Sequence, residues 1–450
     1  MNITEMLDDF IEVTPEFLET PQQAAERFYN SEFIFAKGVS RSLNDYKTRL
    51  NNNVIIMGTS GCGKTTSFIE PNLMQFAGTY IISDPKGSLL KKHRKKFEGA
   101  GYNIKVVDFQ QPEKSCKYNP LGNIRSTQDI IRIANTLVYD PDVSASSIDP
   151  FWDSSNVLLI SGLIGYMLET GYTPCNFKGV LQLMHEGERF SRSTVKDGYR
   201  RYTEKASLLS DRFEELHEKS PDSWAYKQYK SVDQANDKTY DCIRVTLASK
   251  FANYTSEELD EMMSSNDIDF DKIAREKTVV FVLQSDSDRS LDGLVNLFFS
   301  QAINSLIKIA DTYENQRLPI PVRFFLDDYG ATTAIDNLDT IISTIRSRAI
   351  SVSLILQSEA QLASSKSGAD KTILSNCDTY VYMGGNDVET AKAVSVRCNK
   401  PLEQILYMPV GKCWVFERGK KPVYTDITER PDLDADVPLV SKLEHDQNEL

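Results

Sequence analysis

The stretch NVIIMGTSGCGKTTSFI, residues 53–69, joins a short apolar run to a glycine-rich turn and then to the start of a helix. Its central eight residues, 58–65, match the pattern GxxxxGK(S/T) in full. Glycines let successive backbone N–H groups surround a phosphate, and the helix that follows adds the favourable end of its dipole. The stretch therefore predicts a P-loop between a strand and a helix.

The residue types in this loop have separate chemical tasks. The Lys64 ammonium reaches the β and γ phosphate oxygens, and the Thr65 hydroxyl ligates Mg²⁺. ATP and Mg²⁺ are therefore the expected ligands. The residues predicted to bind the nucleotide are Gly58, Thr59, Ser60, Gly61, Cys62, Gly63, Lys64, Thr65 and Thr66.

A second apolar run, PVRFFLDDYG at residues 321–330, ends in two adjacent carboxylates. A P-loop enzyme needs a carboxylate at the tip of a neighbouring strand to hold the Mg²⁺ shell, and Asp327 suits that place. Asp328 is the candidate for the group that orients or deprotonates the nucleophile. Without a P-loop, the same residues would indicate a buried strand that meets a polar turn. Aspartate is one methylene shorter than glutamate, so the sequence leaves open how fast a site with Asp328 hydrolyses ATP.

Two later segments carry polar residues that suit a nucleotide-driven machine. Gln357 ends the run ISVSLILQ, where an amide can sense the γ-phosphate; the alternative is a polar strand terminus. Arg346 and Arg348 precede that run, too far along for the chain's own phosphate site. One of them is a candidate arginine finger for a neighbouring subunit, and the alternative is a pair of surface arginines that cap a helix.

Apolar runs and helical stretches alternate on both sides of the middle of the chain. TYIISD and IKVVDF follow the P-loop, and TVVFVLQ, ISVSLILQ and TYVYMGG come later, all short and rich in β-branched residues. This alternation predicts an α/β fold with a mainly parallel sheet covered on both faces. Between the two parts, runs such as DIIRIANTLV and NVLLISGLIGYMLE have helical spacing and predict an all-α insertion.

These changes in pattern divide the chain into five parts. Residues 1–50 are a polar lead segment, 51–125 and 276–430 are two parts of a nucleotide-binding domain, 126–275 are the all-α domain, and 431–450 are an acidic tail. A polar, acidic end of this kind is expected to be solvated.

The charge balance limits how the chain can meet nucleic acid. With 51 Lys+Arg against 64 Asp+Glu, the formal net charge is -13, so any DNA contact must be local. The densest basic run, KKHRKKF at residues 91–97, is either part of a DNA path or a solvated helix face. Aromatic and basic residues do not interleave, which favours sequence-tolerant contact with the DNA backbone over base readout.

Cysteines and apolar runs indicate a reducing, aqueous compartment. The seven cysteines are scattered, with no CxxC or Cys/His spacing, which argues against a zinc site. The longest apolar stretch, VLLISGLIGYML, is shorter than the roughly 20 residues that cross a bilayer. We therefore expect a cytoplasmic protein.

Together these motifs resemble the type IV secretion coupling proteins, the conjugative DNA-transfer ATPases of the TraG and VirD type. Besides the P-loop, the resemblance is carried in order by ISDPKGSLL, YNPL, DPFWDSSNVLL, FFLDDYG, TIRSRAISVSLILQS and NCDTYVYMGGNDVETAK. These signatures cover most of residues 45–395. The first of them also places Asp84 and Lys86 near the nucleotide edge of the sheet.

The resemblance implies a RecA-like P-loop NTPase domain interrupted by an all-α domain, assembled as a hexameric ring with a central channel. It implies a motor that delivers relaxase-bound DNA, expected to be single-stranded, to a secretion channel, with the all-α part recognising DNA and relaxase. By position in the motifs, Asp327 is the Walker B metal residue and Asp328 stands in the place of the catalytic acid. Arg346 occupies the arginine-finger position and Gln357 the sensor position.

Two departures from the family pattern leave alternatives open. Family members usually carry Asp-Glu where this chain has Asp327 and Asp328, which leaves room for a nucleotide-gated adaptor that recruits relaxosome cargo without efficient hydrolysis. Most also carry N-terminal membrane helices that this sequence does not show. The expectation is then that a membrane-anchored component of the channel recruits the chain to the inner face of the membrane. A DNA translocase of the FtsK and HerA type is a third reading, against which DPFWD and GGNDVETAK speak.

Overall fold

The computed structural model describes residues 19–138, 150–196, 200–330, 335, 337–362 and 369–431. All but the first residue of the predicted acidic tail, 431–450, lies outside these described residues, as does the start of the lead segment. Thirteen strands are found within the described ranges. They are β1 (Glu32–Ala36), β2 (Val39–Ser42), β3 (Val54–Met57), β4 (Thr79–Ser83), β5 (Asn103–Asp108), β6 (Phe190–Lys196), β7 (Arg200–Ala206), β8 (Thr278–Leu283), β9 (Val322–Leu326), β10 (Ile350–Leu356), β11 (Thr379–Tyr382), β12 (Lys412–Glu417) and β13 (Val423–Asp426).

A sheet of nine of these described strands organises the fold, in the order β13-β12-β11-β3-β10-β9-β4-β8-β5. From β11 to β5 every neighbouring pair is parallel, and only β12 and β13 join antiparallel at one edge. Strands from before and after the inserted region are interspersed in this order, so both parts of the chain build one sheet. The residues of β3, β4, β8, β9 and β10 are all buried, as in parallel sheets covered on both faces.

The described helices lie on both sides of this sheet and around it. They are α1 (Pro21–Asn30), α2 (Asp45–Thr48), α3 (Glu70–Leu73), α4 (Ser88–Gly99), α5 (Thr127–Val138), α6 (Pro150–Thr170), α7 (Phe177–Glu186), α8 (Leu208–Lys219), α9 (Trp224–Asp233), α10 (Asp237–Phe251), α11 (Glu257–Met262), α12 (Phe270–Arg275), α13 (Asp292–Asp311), α14 (Leu338–Ile341), α15 (Ala369–Ser375), α16 (Val388–Cys398) and α17 (Leu402–Leu406). A π-helical turn, Thr65–Ile69, leads directly into α3, and the two together form the P-loop helix.

Alternating side chains of each strand enter two separate cores, one on each face of the sheet. In β9, Phe324 and Leu326 belong to the core shared with α13 and the inserted helices. Phe325 belongs to the other core, which includes Phe68 of the P-loop helix and Phe97 of α4. The period-two alternation of a strand produces this division.

Helix α13 is the one described helix that is long and apolar enough to cross a membrane. Most of its apolar stretch is buried, and it packs in the core on one face of the sheet. Burial explains its composition, since a helix that is apolar nearly all round is found in the core of a large fold as well as in a bilayer.

The inserted region is mainly helical and not purely so. Helices α5 to α12 fall between residues 127 and 275, but β6 and β7 form an antiparallel hairpin among them. The expectation of an all-α region overlooked this hairpin. The sequence does hold a signal for it, because Asp197-Gly198 is a dipeptide that favours tight hairpin turns between alternating strands.

Candidate nucleotide site

The glycine-rich loop connects the end of β3 to the P-loop helix and is held from the side by the loop after β11. The Thr59 N–H donates to the Gly384 carbonyl oxygen at 3.1 Å. A Cβ at Gly58 would lie 2.5 Å from Cys62 Sγ and 3.1 Å from Met383 Cβ, so a larger residue there would require both neighbours to shift. Gly63 has φ +96°, a backbone conformation that other residues rarely adopt. The loop therefore depends on its glycines for shape.

Lys64 and Thr65 lie at the junction of this loop with its helix. Lys64 is buried, and its ammonium donates to the carbonyl oxygens of Gly58 at 2.5 Å and Thr59 at 3.0 Å. Thr65 Oγ1 donates to Asp327 Oδ2 at 2.9 Å. The predicted phosphate ligand and the predicted metal ligands are thus brought together, across strands that are far apart in sequence.

The two carboxylates follow β9 directly. Burial raises the pKa of Asp327 to about 6, and the neighbouring charge of Asp328 acts in the same direction. The hydrogen bond from Thr65 and the charge of Lys64 oppose this rise in the Asp327 pKa. The Asp328 N–H donates to Asp327 Oδ1 at 3.1 Å, and Asp328 has φ +51°. Aspartate and asparagine tolerate this left-handed conformation better than most residues do.

Gln357 completes the group from the end of β10. Its Nε2 donates to Asp328 Oδ1 at 3.3 Å, and its own N–H donates to Gln361 Oε1 at 2.7 Å. Its side chain is exposed at the carboxyl edge of the sheet. The predicted sensor and the predicted catalytic acid are therefore in direct contact.

These side chains suit a hard divalent cation that is shared with a phosphate. Thr65 and Asp327 present a hydroxyl and a carboxylate oxygen within hydrogen-bond distance of each other, and Mg²⁺ takes such oxygen ligands together with phosphate oxygens. The half-buried Asp327 beside a second carboxylate is a place where positive charge is favoured. The residues present therefore fit a magnesium–nucleotide complex, with Thr65 and Asp327 as the residues that would hold the metal.

Arg346 lies at the amino ends of the parallel strands, away from this group at their carboxyl ends. It precedes β10, whereas Gln357 follows it, and a seven-residue strand separates the two by roughly 20 Å. Its Nη2 donates to the Asp45 carbonyl oxygen at 3.2 Å, and Arg317 binds the Asp45 carboxylate at 3.1 Å. Arg348 binds the Asp311 carboxylate at 2.9 Å and the carbonyl oxygen of Thr344, the residue before its own 3₁₀ turn. Within one chain, neither arginine reaches the P-loop.

Asp84 and Lys86 have separate positions after β4. Asp84 is 2% exposed, and its two carboxylate oxygens accept from the N–H groups of Ser88 and Leu90. It therefore closes the turn before α4 and has a structural task. Lys86 is exposed and lines a cleft of about 410 Å³ at the carboxyl ends of β4, β8 and β5. This cleft is separated from β3 by β10 and β9.

A contact that the motifs did not indicate comes from the segment after β13. The Ile427 Cδ1 atom lies 3.3 Å from the place where a Cβ on Gly63 would be. Three residues later, Arg430 Nε lies 3.5 Å from Glu70 Oε2 on the P-loop helix. This segment therefore forms one wall of the P-loop, and nothing in its composition distinguishes it from an ordinary strand end.

The basic run at residues 91–97 forms the middle of α4. Lys91, Arg94 and Lys95 are exposed on it, whereas His93 and Phe97 are buried. Arg94 binds Glu98 at 3.0 Å. The exposed part of the run is thus a solvated helix face, and any contact with DNA stays a prediction.

His93 makes the stability of the fold depend on pH. Neither of its ring nitrogens has a hydrogen-bond partner among the described residues, and Glu70 beside it is fully buried, with Lys92 at 2.7 Å. Burial lowers the pKa of His93 to about 4, although the charge of Glu70 acts in the opposite direction. An unfolded histidine has a pKa near 6.5. Between pH 4 and pH 6.5 the unfolded state binds a proton at this histidine and the folded state does not. The contribution of His93 to the free energy of unfolding is therefore fully present above pH 6.5 and is lost as the pH falls towards 4.

We expect the free energy of unfolding to fall on acidification more steeply in the wild type than in His93→Gln. The difference in the free energy of unfolding between the wild type and His93→Gln should change by up to about 3 kcal/mol between pH 7 and pH 4. Urea unfolding at several pH values measures it, and His185→Gln, at an exposed histidine, is the matched control. Parallel pH profiles for the wild type and His93→Gln would contradict the assignment.

Comparison with known proteins bears on this geometry. The family model for type IV secretory system conjugative DNA transfer matches residues 14–401. The chain belongs to this family. The motifs that suggested the resemblance, from the P-loop to the segment at 376–392, lie inside the matched range.

Relatives in the conjugative DNA-transfer family are distant in sequence. The chain is 21% identical over 367 residues to the probable conjugal transfer protein TraG of Sinorhizobium fredii, covering 78% of this chain and 53% of that protein. It is 23% identical over 353 residues to protein VirD4 of Rhizobium radiobacter, covering 76% and 47%. The chain thus spans about half the length of the relatives that it matches.

Solved structures of conjugative coupling proteins share the fold. The sulphate complex of the coupling protein TrwBdeltaN70 has a TM-score of 0.64 at 14% identity, covering 92% of this chain and 95% of that one. TrwB in complex with the ATP analogue ADPNP has a TM-score of 0.63 at 13% identity, covering 93% and 95%. The prediction of a RecA-like P-loop fold with a mainly parallel sheet is confirmed.

Proposed function

We propose that this chain is an ATP-dependent coupling protein, a motor that delivers relaxase-bound DNA to a conjugative type IV secretion channel. One observation carries the proposal: Thr65 of the P-loop contacts Asp327, and Gln357 contacts the adjacent Asp328. This is the set of groups that a P-loop motor needs for metal binding, water activation and sensing of the γ-phosphate. Family membership supplies the DNA-transfer context.

The residues divide the chemistry among them. The backbone N–H groups of the loop bind the β-phosphate, and Lys64 leaves the loop carbonyls to contact the β and γ oxygens. Thr65 and Asp327 hold Mg²⁺, which when bound offsets the charge that develops on the phosphate oxygens. Asp328 accepts a proton from the attacking water or orients it, and Gln357 is placed to report the loss of the γ-phosphate.

Structures of the related coupling protein support the ligand assignment. TrwB has been determined with ADPNP, with a GTP analogue, and with ADP and Mg²⁺. The loop and metal residues of this chain fit the same type of ligand. The motor function requires a nucleoside triphosphate whose γ-phosphate can be removed, and ATP is the substrate proposed.

An active ring of six subunits is part of the proposal. Arg346 lies at the amino ends of the strands, whereas the P-loop lies at their carboxyl ends. It can therefore act on a phosphate only when a neighbouring chain presents one. Its side chain is 40% exposed despite the contact with Asp45. A finger supplied in trans accelerates hydrolysis by about 10³- to 10⁵-fold in related chemistry.

The proposed partners follow from charge and family. DNA contact is sequence-tolerant and confined to local basic surface, because the net charge is -13. The inserted helical region is proposed to recognise DNA and relaxase. A membrane-anchored component of the channel is proposed to recruit the chain from the cytoplasm to the membrane.

A nucleotide-gated adaptor is the second candidate, and Asp328 is the observation that favours it. An aspartate at this place has a shorter reach than the glutamate usual in the family. A displacement of about 1 Å can cost roughly 10²-fold in rate. Such a chain would bind ATP and present cargo while turning over slowly.

The motor proposal predicts ATP turnover that rises more than linearly with protein concentration and is stimulated by DNA. The reason is that the proposed finger comes from a second subunit, so specific activity follows assembly. Phosphate release should be measured over a wide range of protein concentration without DNA, with single-stranded DNA and with double-stranded DNA. Background turnover under all these conditions would contradict the motor and leave the adaptor.

Mixing two inactive variants tests the trans arrangement in the same assay. Lys64→Ala lacks the phosphate contact and Arg346→Ala lacks the finger, but a mixed ring contains interfaces with both intact. Partial recovery of turnover in the mixture is expected. The matched control is Arg348→Ala, which removes an arginine bound to Asp311 and should change turnover by less than about threefold.

A further inference from the structure

Three adjacent parallel strands meet beside the predicted metal residue. Ser83, the last residue of β4, pairs with Leu326 of β9 and with Val282 of β8. Asp327 follows Leu326, and Gln284 follows β8. The carboxyl ends of these strands therefore place Ser83 between the Walker B turn and Gln284.

Buried hydrogen bonds connect these three residues. Ser83 Oγ donates to the main-chain carbonyl oxygen of Asp327 at 3.2 Å, and Gln284 Nε2 donates to Ser83 Oγ at 2.9 Å. Ser83 is fully buried and Gln284 is 1% exposed. The hydroxyl thereby uses its one donor and one of its two acceptor lone pairs. Buried polar groups arranged in this way specify a single geometry.

Gln284 is itself held in place from the edge of the sheet. The Gln110 amide donates to the main-chain carbonyl of Gln284 and, at 2.7 Å, to the Pro85 carbonyl. The turns after β5, β4 and β8 are thereby tied together. Gln284 is consequently held through its main-chain carbonyl by Gln110 and through its side-chain amide by Ser83.

The contact with Asp327 falls on the peptide that matters most at the site. The carbonyl group of the peptide between Asp327 and Asp328 accepts from Ser83, and its N–H group donates to Asp327 Oδ1. Asp328 then has φ +51°, a conformation that costs most residues about 1–2 kcal/mol. This peptide is part of the backbone from which both carboxylate side chains extend.

We propose that Ser83 and Gln284 are positioning residues that orient the Asp327–Asp328 peptide, so that Asp327 meets Thr65 and Asp328 meets Gln357. In this proposal they act through the main chain of the Walker B residue and not by contact with nucleotide or metal. This inference rests on the proposed function, in that the oriented carboxylates serve Mg²⁺ and water. It assigns a task to Ser83 of the ISDPKGSLL segment and to Gln284 at the end of β8.

The test separates positioning from a merely structural role. Ser83→Ala removes the hydroxyl, and Gln284→Leu removes the amide while keeping much of the volume. The control is Thr79→Val, at a fully buried hydroxyl on the same strand, which bonds to the Glu276 carbonyl at the other edge of the sheet. The affinity of a fluorescent ATP analogue is measured in Mg²⁺ and in EDTA, together with kcat, KM and thermal unfolding.

The expected result for Ser83→Ala is a loss confined to the metal-dependent readouts. The gain in affinity on adding Mg²⁺ should fall about tenfold, and kcat about 10²-fold, as for a displacement near 1 Å. Affinity in EDTA should stay within about twofold of the wild type, and Gln284→Leu should show a smaller loss of the same kind. Thr79→Val should lower the unfolding temperature without changing either ligand readout.

Several outcomes would overturn the inference. One is an unchanged Mg²⁺ effect and kcat in both variants, and another is an equal loss of affinity in EDTA and in Mg²⁺. If Ser83→Ala does not fold, Gln284→Leu decides on the same readouts. If the wild type binds nucleotide without turnover, the motor proposal fails while the Mg²⁺-dependent affinity still decides on Ser83.

Discussion

Lys64→Ala is expected to lower ATP turnover by at least about 10²- to 10³-fold, whether DNA is present or absent. The Lys64 ammonium is the buried cation of the P-loop, 2.5 Å and 3.0 Å from two loop carbonyls. When a nucleotide enters, that charge serves the β and γ oxygens, where negative charge develops. Alanine leaves the negative charge that develops on these oxygens without its cation.

The measurement combines phosphate release with equilibrium binding. Affinity for a fluorescent ATP analogue should also fall, because Lys64 contacts the phosphates before reaction as well as during it. Lys238→Ala removes an exposed lysine from α10 and should leave the affinity and the turnover measured without DNA unchanged. Wild-type turnover in Lys64→Ala would mean that the measured hydrolysis comes from another site or from a contaminant.

The P-loop and its partners could be predicted because each carries a local pattern. Gly58 and Gly63 are needed by a turn that the sequence spells out, and Asp327 and Gln357 each end an apolar run. The rule that carboxyl ends of parallel strands share one edge then places them together without knowledge of the strand order. That is why three separate segments were expected at one site, and why the structure places them there.

Other parts of the site depend on strand order, which no local pattern contains. Ser83 is next to the Walker B turn only because β4 pairs with β9, which comes more than two hundred residues later. Ile427 reaches Gly63 only because β12 and β13 add to the β11 edge, so that the chain returns towards the P-loop. A serine before an aspartate and an isoleucine after a strand are unremarkable in sequence, so these contacts needed coordinates.

Asp328→Asn is expected to lower kcat by about 10²- to 10⁴-fold while changing the affinity for ATP in Mg²⁺ by only a few-fold. Asparagine keeps the size of the side chain and tolerates φ +51°, so the backbone at this turn should persist. Its amide oxygen can still accept from Gln357 Nε2, which now lies 3.3 Å from Asp328 Oδ1. The substitution removes the ability to accept a proton, together with the charge that helps to raise the pKa of Asp327.

Single-turnover hydrolysis and analogue binding measure the two effects separately. The matched control is Asp286→Asn, which removes one exposed carboxylate from the loop after β8 at the same edge of the sheet. It should alter kcat by less than about twofold, because solvent and salt screen the charge of an exposed carboxylate outside the site. Equal kcat values for the wild type and Asp328→Asn would exclude Asp328 as the proton acceptor.

Asp328→Glu then distinguishes the motor from the adaptor, because it restores the side chain usual in the family. If the wild type is a motor, its aspartate already holds the water, and glutamate should change kcat by less than about tenfold. If the wild type is an adaptor, glutamate should raise turnover from background by about 10²-fold, the cost assigned above to a 1 Å misplacement. The Asp328–Gln357 contact favours the first result, since the shorter carboxylate is already within reach of the amide at the end of the next strand.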